Sequence, residues 1–409
     1  MEYDDTDQAT EFAEKTREFV DEVVIPVERE VLGNGPISDE QLEALREEAR
    51  DWGVYAPHLP EEYGGHGLSY RDMLPVFEAA GRSLLGAPAI KVEAPDEGNM
   101  HTLEMFGTEE QKEEYLRPLV QGEIRSGFSM TEPLQGSGSD PKMLQTTAEK
   151  DGDEWVINGH KWWTTQGMES DVLIVMAVTD PDAHPYNGCS LFLVPTDTDG
   201  VNIVRDIPHM GGNVTGMGHA EIEYNDVRVP EDALLGELNE GFSHAQSRLG
   251  PARLTHCMRY SGMAERALEI SKAYLGERDA FDEPLAEKQA LRHRIADAET
   301  NLHAARTMVR HAARELDEGD ARIEVAMAKM FTANVTNDIM DLSVQCLGGN
   351  GIAKDLPVAH FYEAVRPFRI VDGADEVHRR TIARDAFEDV YDEDMQNVLR
   401  FDPELDKTT

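Results

Sequence analysis

Cysteine is scarce: the chain holds only Cys189, Cys257 and Cys346 among 409 residues. An odd number set far apart builds neither a disulfide framework nor a C-x-x-C metal or redox site, and it fits a reducing cytoplasm. Long apolar runs are missing as well. The longest, Val172 to Val178, falls far short of the roughly 20 residues that span a bilayer. The chain opens Met1-Glu2-Tyr3-Asp4-Asp5 rather than on a basic segment followed by an apolar one, so no export signal is expected. Positive charge is short too: 38 Lys plus Arg face 80 Asp plus Glu, a formal net charge of −42. A field of that sign opposes every phosphate contact, which excludes duplex nucleic acid and anionic membranes as partners. G-x-G-x-x-G behind a strand, G-x-x-x-x-G-K-[ST], H-E-x-x-H and G-x-S-x-G are all absent. Nicotinamide Rossmann binding, NTP hydrolysis, zinc proteolysis and α/β-hydrolase chemistry therefore lack support. The 14 His show no ligand spacing, and no metal site is expected.

What is present is a chain that is 40% hydrophobic, enough for a sizeable core in two or three domains. Its carboxylates are dispersed rather than gathered in a tail, and only 11 of the 38 basic residues are Lys. Dispersed acidity keeps a surface hydrated in abundant salt, where a Debye length of about 3 Å at 1 M screens self-repulsion. The composition reads as that of a halophile. Helical spacing marks Ala9, Phe12, Ala13, Phe19, Val20, Val23 and Val24, then Leu42, Leu45, Ala49 and Trp52. From Ser126 short β-like runs follow: Gln145 to Glu149, Glu154 to Ile157, His160 to Thr165, Val172 to Val178, Ser190 to Val194, Val201 to Val204 and Ala220 to Tyr224. Asp151-Gly152 and Asn158-Gly159 read as tight hairpin turns, predicting an antiparallel meander. After Gly236 the helical period returns in Leu291, Ile295, Ala298, Leu302, Ala305 and Val309. Gly348-Gly349-Asn350-Gly351 follows a helix and reads as its C-cap and turn. The expected fold is α+β: N-terminal helices over 1–125, an antiparallel β domain over 126–236, and a C-terminal helical bundle over 237–409.

Phe128-Ser129-Met130-Thr131-Glu132-Pro133, Gly138-Ser139-Asp140, Gly159-His160-Lys161-Trp162-Trp163-Thr164-Thr165 and Gln345-Cys346-Leu347-Gly348-Gly349-Asn350-Gly351 occur in the order seen in acyl-CoA dehydrogenases. The chain resembles that family over nearly its whole length. Ala94-Pro95-Asp96-Glu97-Gly98-Asn99-Met100 and Asp372-Gly373-Ala374-Asp375-Glu376-Val377-His378-Arg379 are most similar to the subgroup of family members ten and eleven.

The resemblance implies FAD as cofactor. A flat isoalloxazine ring asks for an aromatic wall with hydroxyls and backbone groups at its edge. By resemblance Trp163 packs on the ring, Thr131 and Thr165 hydrogen-bond it, and Phe128 and Met130 lie beside it. Without the family, Trp163 reads as plain core. Arg278, Phe281, Gln289, Gln345, Gly348 and Gly349 match positions that hold pyrophosphate and adenosine, partly across a subunit boundary, and Ala374 and Glu376 match further cofactor contacts. Arg278 in Glu277-Arg278-Asp279 also reads as a solvated ion pair.

The implied reaction removes the α-proton of an acyl-CoA thioester and passes hydride from the β-carbon to FAD, leaving a trans-2-enoyl-CoA. Most members place the base as a Glu before Gly in the last helical region, and the matching residue is Asp372. The alternative position for the base, around Gly250-Pro251-Ala252-Arg253-Leu254, holds no acid. Asp372 also reads as an N-cap for the helix through Val377 and Ile382. Arg253 matches an arginine near the base, and Ser139 a substrate contact. The segment Leu134-Gln135-Gly136-Ser137 is longer than usual, Asp282 stands where Gly is frequent, and Asp372 is one methylene shorter than Glu.

The family implies an electron-transfer flavoprotein as acceptor and a homotetramer. A nitroalkane-oxidase-like flavoenzyme and a non-redox acyl-CoA-binding relative are the other readings. The charge itself generates a prediction. Melting temperature and FAD retention should both rise as KCl is raised into the molar range, and equal melting temperatures at low and molar salt would contradict the halophile reading.

Overall fold

The computed structural model describes residues 5–211, 214–319 and 321–391. The C-terminal part of the expected helical bundle, residues 392–409, lies outside them. Helices come first: α1 (Asp7–Phe19), α2 (Ile25–Val31), α3 (Asp39–Asp51), α4 (Tyr70–Gly81), α5 (Gly86–Ala89), α6 (Asp96–Phe106), α7 (Glu109–Gln111) and α8 (Arg117–Gln121). The strands are β1 (Ser126–Ser129), β2 (Thr147–Asp151), β3 (Glu154–Thr165), β4 (Val172–Val178), β5 (Cys189–Pro195), β6 (Val201–Asp206), β7 (His219–Pro230) and β8 (Leu234–Leu235). Helices return as α9 (Gly241–Glu277), α10 (Gln289–Glu318), α11 (Arg322–Leu347), α12 (Pro357–Val365) and α13 (Asp375–Ala386), with a small ribbon of β9 (Asp279–Ala280) and β10 (Glu283–Pro284) between α9 and α10.

Local chemistry explains many boundaries. Ser38 caps α3 by accepting from Gln41 N–H while the Gln41 side chain bonds back to Ser38 N–H, a reciprocal pairing of otherwise orphaned donors. Gly348, at φ +59, ends α11, where a residue without a Cβ costs least. Val172, Ile174 and Met176 of β4 pack on the N-terminal helices and α9, while Leu173, Val175 and Ala177 pack on the opposite face with Phe192, Ile222 and Tyr224. A strand buried on both faces reads as one apolar run.

The sheet departs from the expected meander. Its order is β6-β7-β3-β2-β4-β5-β8, with β1 added parallel to β4 and β2 also meeting β4 in parallel. Asn158-Gly159 is no hairpin turn: β3 runs straight through it, with a register irregularity against β7. A Cβ at Gly159 would lie 2.3 Å from Thr146 Oγ1, so this glycine serves a close strand approach. Asn158 pairs instead with Asp226, its Nδ2 donating to Asp226 Oδ1 at 3.1 Å and its Oδ1 accepting from Asp226 N at 2.8 Å.

Two contacts fix how the layers meet. At the crossing of α4 and α9, a Cβ at Gly81 would lie 2.0 Å from Arg259 O and one at Gly262 would lie 2.0 Å from Glu78 O. Each backbone occupies the space the other's side chain would need. Within the sheet, Glu132 is buried and accepts from the backbone N–H of Ser137, Gln145 and Thr146, from Thr146 Oγ1 and from Lys161 Nζ at 2.9 Å. Lys161 Nζ also donates to Met130 O at 3.0 Å. Burial pulls the Lys161 ammonium down to about 8 against the attraction of Glu132. One carboxylate therefore fastens both ends of the segment containing the longer loop. Replacing Glu132 by Gln leaves a buried ammonium without its counter-charge, a loss worth about 3 kcal/mol. Denaturant unfolding in molar salt should show it, and a change below about 1 kcal/mol would mean that the loop is held by other contacts.

Candidate active site

The turn between Phe368 and α13 is wound tightly, with Asp372 at φ +55 and Gly373 at φ +94. A left-handed Asp is tolerated where a β-branched residue would not be. Three elements hold it. From α9, Arg253 Nε donates to Asp372 O at 2.8 Å, and from α13, His378 Nε2 donates to the same oxygen at 3.2 Å. From α11, the fully buried Lys329 Nζ donates to Phe368 O at 2.6 Å and Gly373 O at 2.7 Å. Ala374, not Asp372, is the N-cap of α13, which corrects the capping alternative and leaves the Asp372 carboxylate free of that task.

That carboxylate has an unusual position. Its Oδ2 is buried with no hydrogen-bond donor. His256 Nδ1 lies 3.3 Å away, but it also lies 2.7 Å from Ala252 O, to which its hydrogen points when present. Burial pushes the Asp372 carboxyl up, and His256, Arg248, Arg253 and Lys329 together reverse this to hold it below the ordinary Asp value. Burial takes His256 down to about 4, with Arg259 adding to the shift, so near neutral pH the imidazole is uncharged, and Arg248, Arg253 and Lys329 are the cations that then face the carboxylate. Asp372 thus presents an ionised oxygen that accepts no hydrogen bond from the protein. A carboxylate in that state can take a proton from a bound molecule.

A second set of expected residues lies where β1 ends. Trp162 N–H donates to Thr131 O at 3.0 Å, and Lys161 reaches Met130 O, so β3 is tied to the segment after β1. Trp163 occupies a bulge of β3 at φ +57 and is 42% exposed, which overturns its reading as plain core. Thr165 Oγ1 and His219 Nδ1 are 3.0 Å apart. The two sides are bridged by Arg248 of α9, whose guanidinium carbon lies 4.2 Å from the centroid of Phe128 and whose charge acts on Asp372. Phe128 is thereby linked to the surroundings of Asp372, while Met130 and Thr131 follow β1 and Trp163 and Thr165 lie on β3.

The remaining expected residues lie elsewhere. Phe281 and Asp282, both at positive φ, form the two-residue turn joining β9 to β10, a geometry that Asp tolerates in place of Gly. Phe281 is 88% exposed. Arg278 and Gln289 flank this ribbon and are exposed, and Arg278 makes no ion pair among the described residues, which contradicts its reading as a surface pair. Gln345, Gly348 and Gly349 are exposed at the end of α11, with open space above both glycines. No hydrogen bond, ion pair or ring contact joins this second group to Trp163 or Asp372 among the described residues. Ser139 is exposed beyond the longer loop. Glu376 is exposed, 3.4 Å from Arg379.

The donor set fits a dinucleotide flavin: an exposed indole beside hydroxyl and backbone groups for a flat ring, and an unpaired guanidinium with bare glycines for a diphosphate. No group of residues among those described is arranged to hold a metal ion. Sequence reasoning missed His256, Arg248 and Lys329. Lys329 left a trace, since it interrupts the apolar stripe of α11 around Val325, Ala328 and Ala333.

Comparisons with known proteins converge. Acyl-CoA dehydrogenase models match in order: the N-terminal domain over residues 6–123, the middle domain over 127–227 and the C-terminal domain over 239–387. The chain is 44% identical to Probable acyl-CoA dehydrogenase FadE2 of Mycobacterium tuberculosis over 84% of each protein. It is 38% identical to acyl-CoA dehydrogenase family member 11 of Gallus gallus over 90% of this chain, and spans about half of that relative, 49%. Butyryl-CoA dehydrogenase from Megasphaera elsdenii superimposes with a TM-score of 0.84 at 28% identity, over 95% of this chain and 100% of that one.

The buried imidazoles set an acid limit. Burial takes His58 down to about 3 and His101, His256 and His378 to about 4. An unfolded His titrates near 6.5, so between roughly pH 6.5 and 4 the unfolded chain binds more protons than the folded one. Stability should be full above that window and fall steadily through it. Melting temperatures measured in molar salt from pH 7.5 to 4.5 check this, and a flat profile would contradict it.

Proposed function

The chain belongs to the acyl-CoA dehydrogenase family, and on that premise we propose that it oxidises an acyl-CoA thioester with Asp372 as the base. One observation carries the assignment: a buried carboxylate oxygen with no hydrogen-bond donor, held below the ordinary Asp pKa by the cations around it. When bound, FAD supplies the hydride acceptor for the β-carbon. Everything else falls to the protein. Asp372 Oδ2 removes the α-proton, leaving a trans-2-enoyl-CoA. Arg253 and His378, bonded to the Asp372 carbonyl, and Lys329, bonded to Gly373, keep the carboxylate in place despite its short side chain. Closure of an acyl chain over the site removes water and raises the Asp372 pKa, so the residue holds the proton after abstraction.

Trp163 walls the flavin ring, Thr131 and Thr165 meet its edge, and Phe128 and Met130 pack beside it. Arg278, Phe281, Gln289, Gln345, Gly348 and Gly349 complete the dinucleotide site of a neighbouring subunit in a homotetramer. The exposure of Phe281 and of Ile352, which is 73% exposed, supports an assembly that covers them. An electron-transfer flavoprotein reoxidises the cofactor.

Anaerobic mixing with acyl-CoA in high salt should bleach a bound yellow flavin. Asp372→Asn is nearly isosteric, tolerates the left-handed backbone and should retain flavin, yet its flavin reduction should slow by roughly 10² to 10⁴-fold. Near-normal reduction in this variant would remove Asp372 from the reaction.

A further inference from the structure

Arg248 stands out among the buried charges. Its residue is 7% exposed, yet among the described residues it forms no ion pair, and its single hydrogen bond there runs from Nε to Asn99 Oδ1 at 3.0 Å. The two terminal nitrogens meet no acceptor and are not fully occluded. Burial accordingly lowers its pKa, and Asp372 and Glu97, which oppose that shift, remain outside ion-pair distance. Neighbouring arginines differ. Arg259 reaches Val92 O, and Arg266 pairs with Glu28 at 2.8 Å. A guanidinium taken out of water without a counter-ion is costly, and the fold holds this one beside the catalytic turn.

Its surroundings are flat. The ring of Phe128 packs on the guanidinium, and on Gly98 a Cβ would lie 3.1 Å from Cζ and 3.2 Å from both Nε and Nη2. Three near-equal distances place that glycine over the face of the planar group. With Nε engaged by Asn99, only the Nη1/Nη2 end remains, and it offers two parallel N–H donors in the guanidinium plane. A carboxylate lying in that plane satisfies both.

We propose that Arg248 binds a free carboxylate at the far end of the acyl chain, so that the substrate is a dicarboxylic acyl-CoA: its thioester end lies at Asp372 and its free acid end at Arg248. This rests on the reading of Asp372 as the base for an acyl-CoA. Arg248 then acts as the specificity residue, and the unpaired charge of the free protein is neutralised by the substrate.

The test compares glutaryl-, adipoyl- and suberyl-CoA with pentanoyl-, hexanoyl- and octanoyl-CoA in anaerobic flavin reduction by the holoenzyme in molar salt. At one chain length the diacid should exceed its matched monoacid in kcat/KM by at least about tenfold. Arg248→Met should lower that ratio roughly 10- to 100-fold, and Arg248→Lys, which keeps the charge without the fork, should fall between. A wild-type preference for the monoacid at every length overturns the proposal without recourse to a variant, as does a ratio unchanged in Arg248→Met. Calorimetric titration of Asp372→Asn holoenzyme with the same thioesters separates the two readings. A diacid binding preference with no bleaching by any thioester in the wild type upholds Arg248 as an acid-binding residue and defeats the dehydrogenase assignment. Bleaching by the monoacids with no preference for diacids defeats the Arg248 proposal alone.

Discussion

One of the buried ammonium groups, that of Lys329, fixes the turn that carries Asp372. Among the described residues Lys329 has no carboxylate in hydrogen-bond contact, and it spends two of its donors on the carbonyls of Phe368 and Gly373, with the Phe368 ring 4.8 Å from Nζ. It therefore works as a backbone clamp. The clamped turn carries two consecutive residues with left-handed dihedrals, which a free loop would not hold. Arg253 and His378 bond to the same turn, but each comes from an element whose own position depends on packing against α11. Lys329, Arg253 and His378 thus fix the position of the candidate base together.

A strongly acidic chain sets cations around one buried carboxylate. The chain carries a formal net charge of −42, yet the side chains around Asp372 are Arg248, Arg253, Lys329 and an uncharged His256. Such an arrangement keeps Asp372 ionised in a buried setting that would otherwise neutralise it. It also gives an anionic thioester a local positive destination inside a repulsive field.

The broad fold was legible because its periodicities are strong: helical stripes at both ends and the apolar run of β4 between them. What failed had local causes. Asn158-Gly159 has the composition of a hairpin turn, but the glycine was selected by the nearness of Thr146, a contact far along the chain. β1 is only four residues long and pairs in parallel with a strand beyond the next hairpin, so no local pattern announces it. In the site, Asp372 and Arg253 could be placed from motif order, whereas Arg248 could not. Its distinction is the absence of a partner, which exists only once α6, β1 and α9 are brought together. The N-cap reading of Asp372 failed because the turn curls away before α13 begins.

The crossing of α4 and α9 has a consequence for how such a chain can change over generations. Gly81 and Gly262 each vacate space for the other helix's carbonyl, so the two positions share one contact. An alanine at either would push the helices apart, and the surviving glycine would then have nothing left to accommodate. The two positions are thus coupled through the crossing they share, and a change at one alters what the other must accommodate. Since α9 also carries Arg248, Arg253 and His256, a drift in that spacing would move three charged or polar groups of the site at once, and selection on the chemistry would reach two glycines that touch none of it.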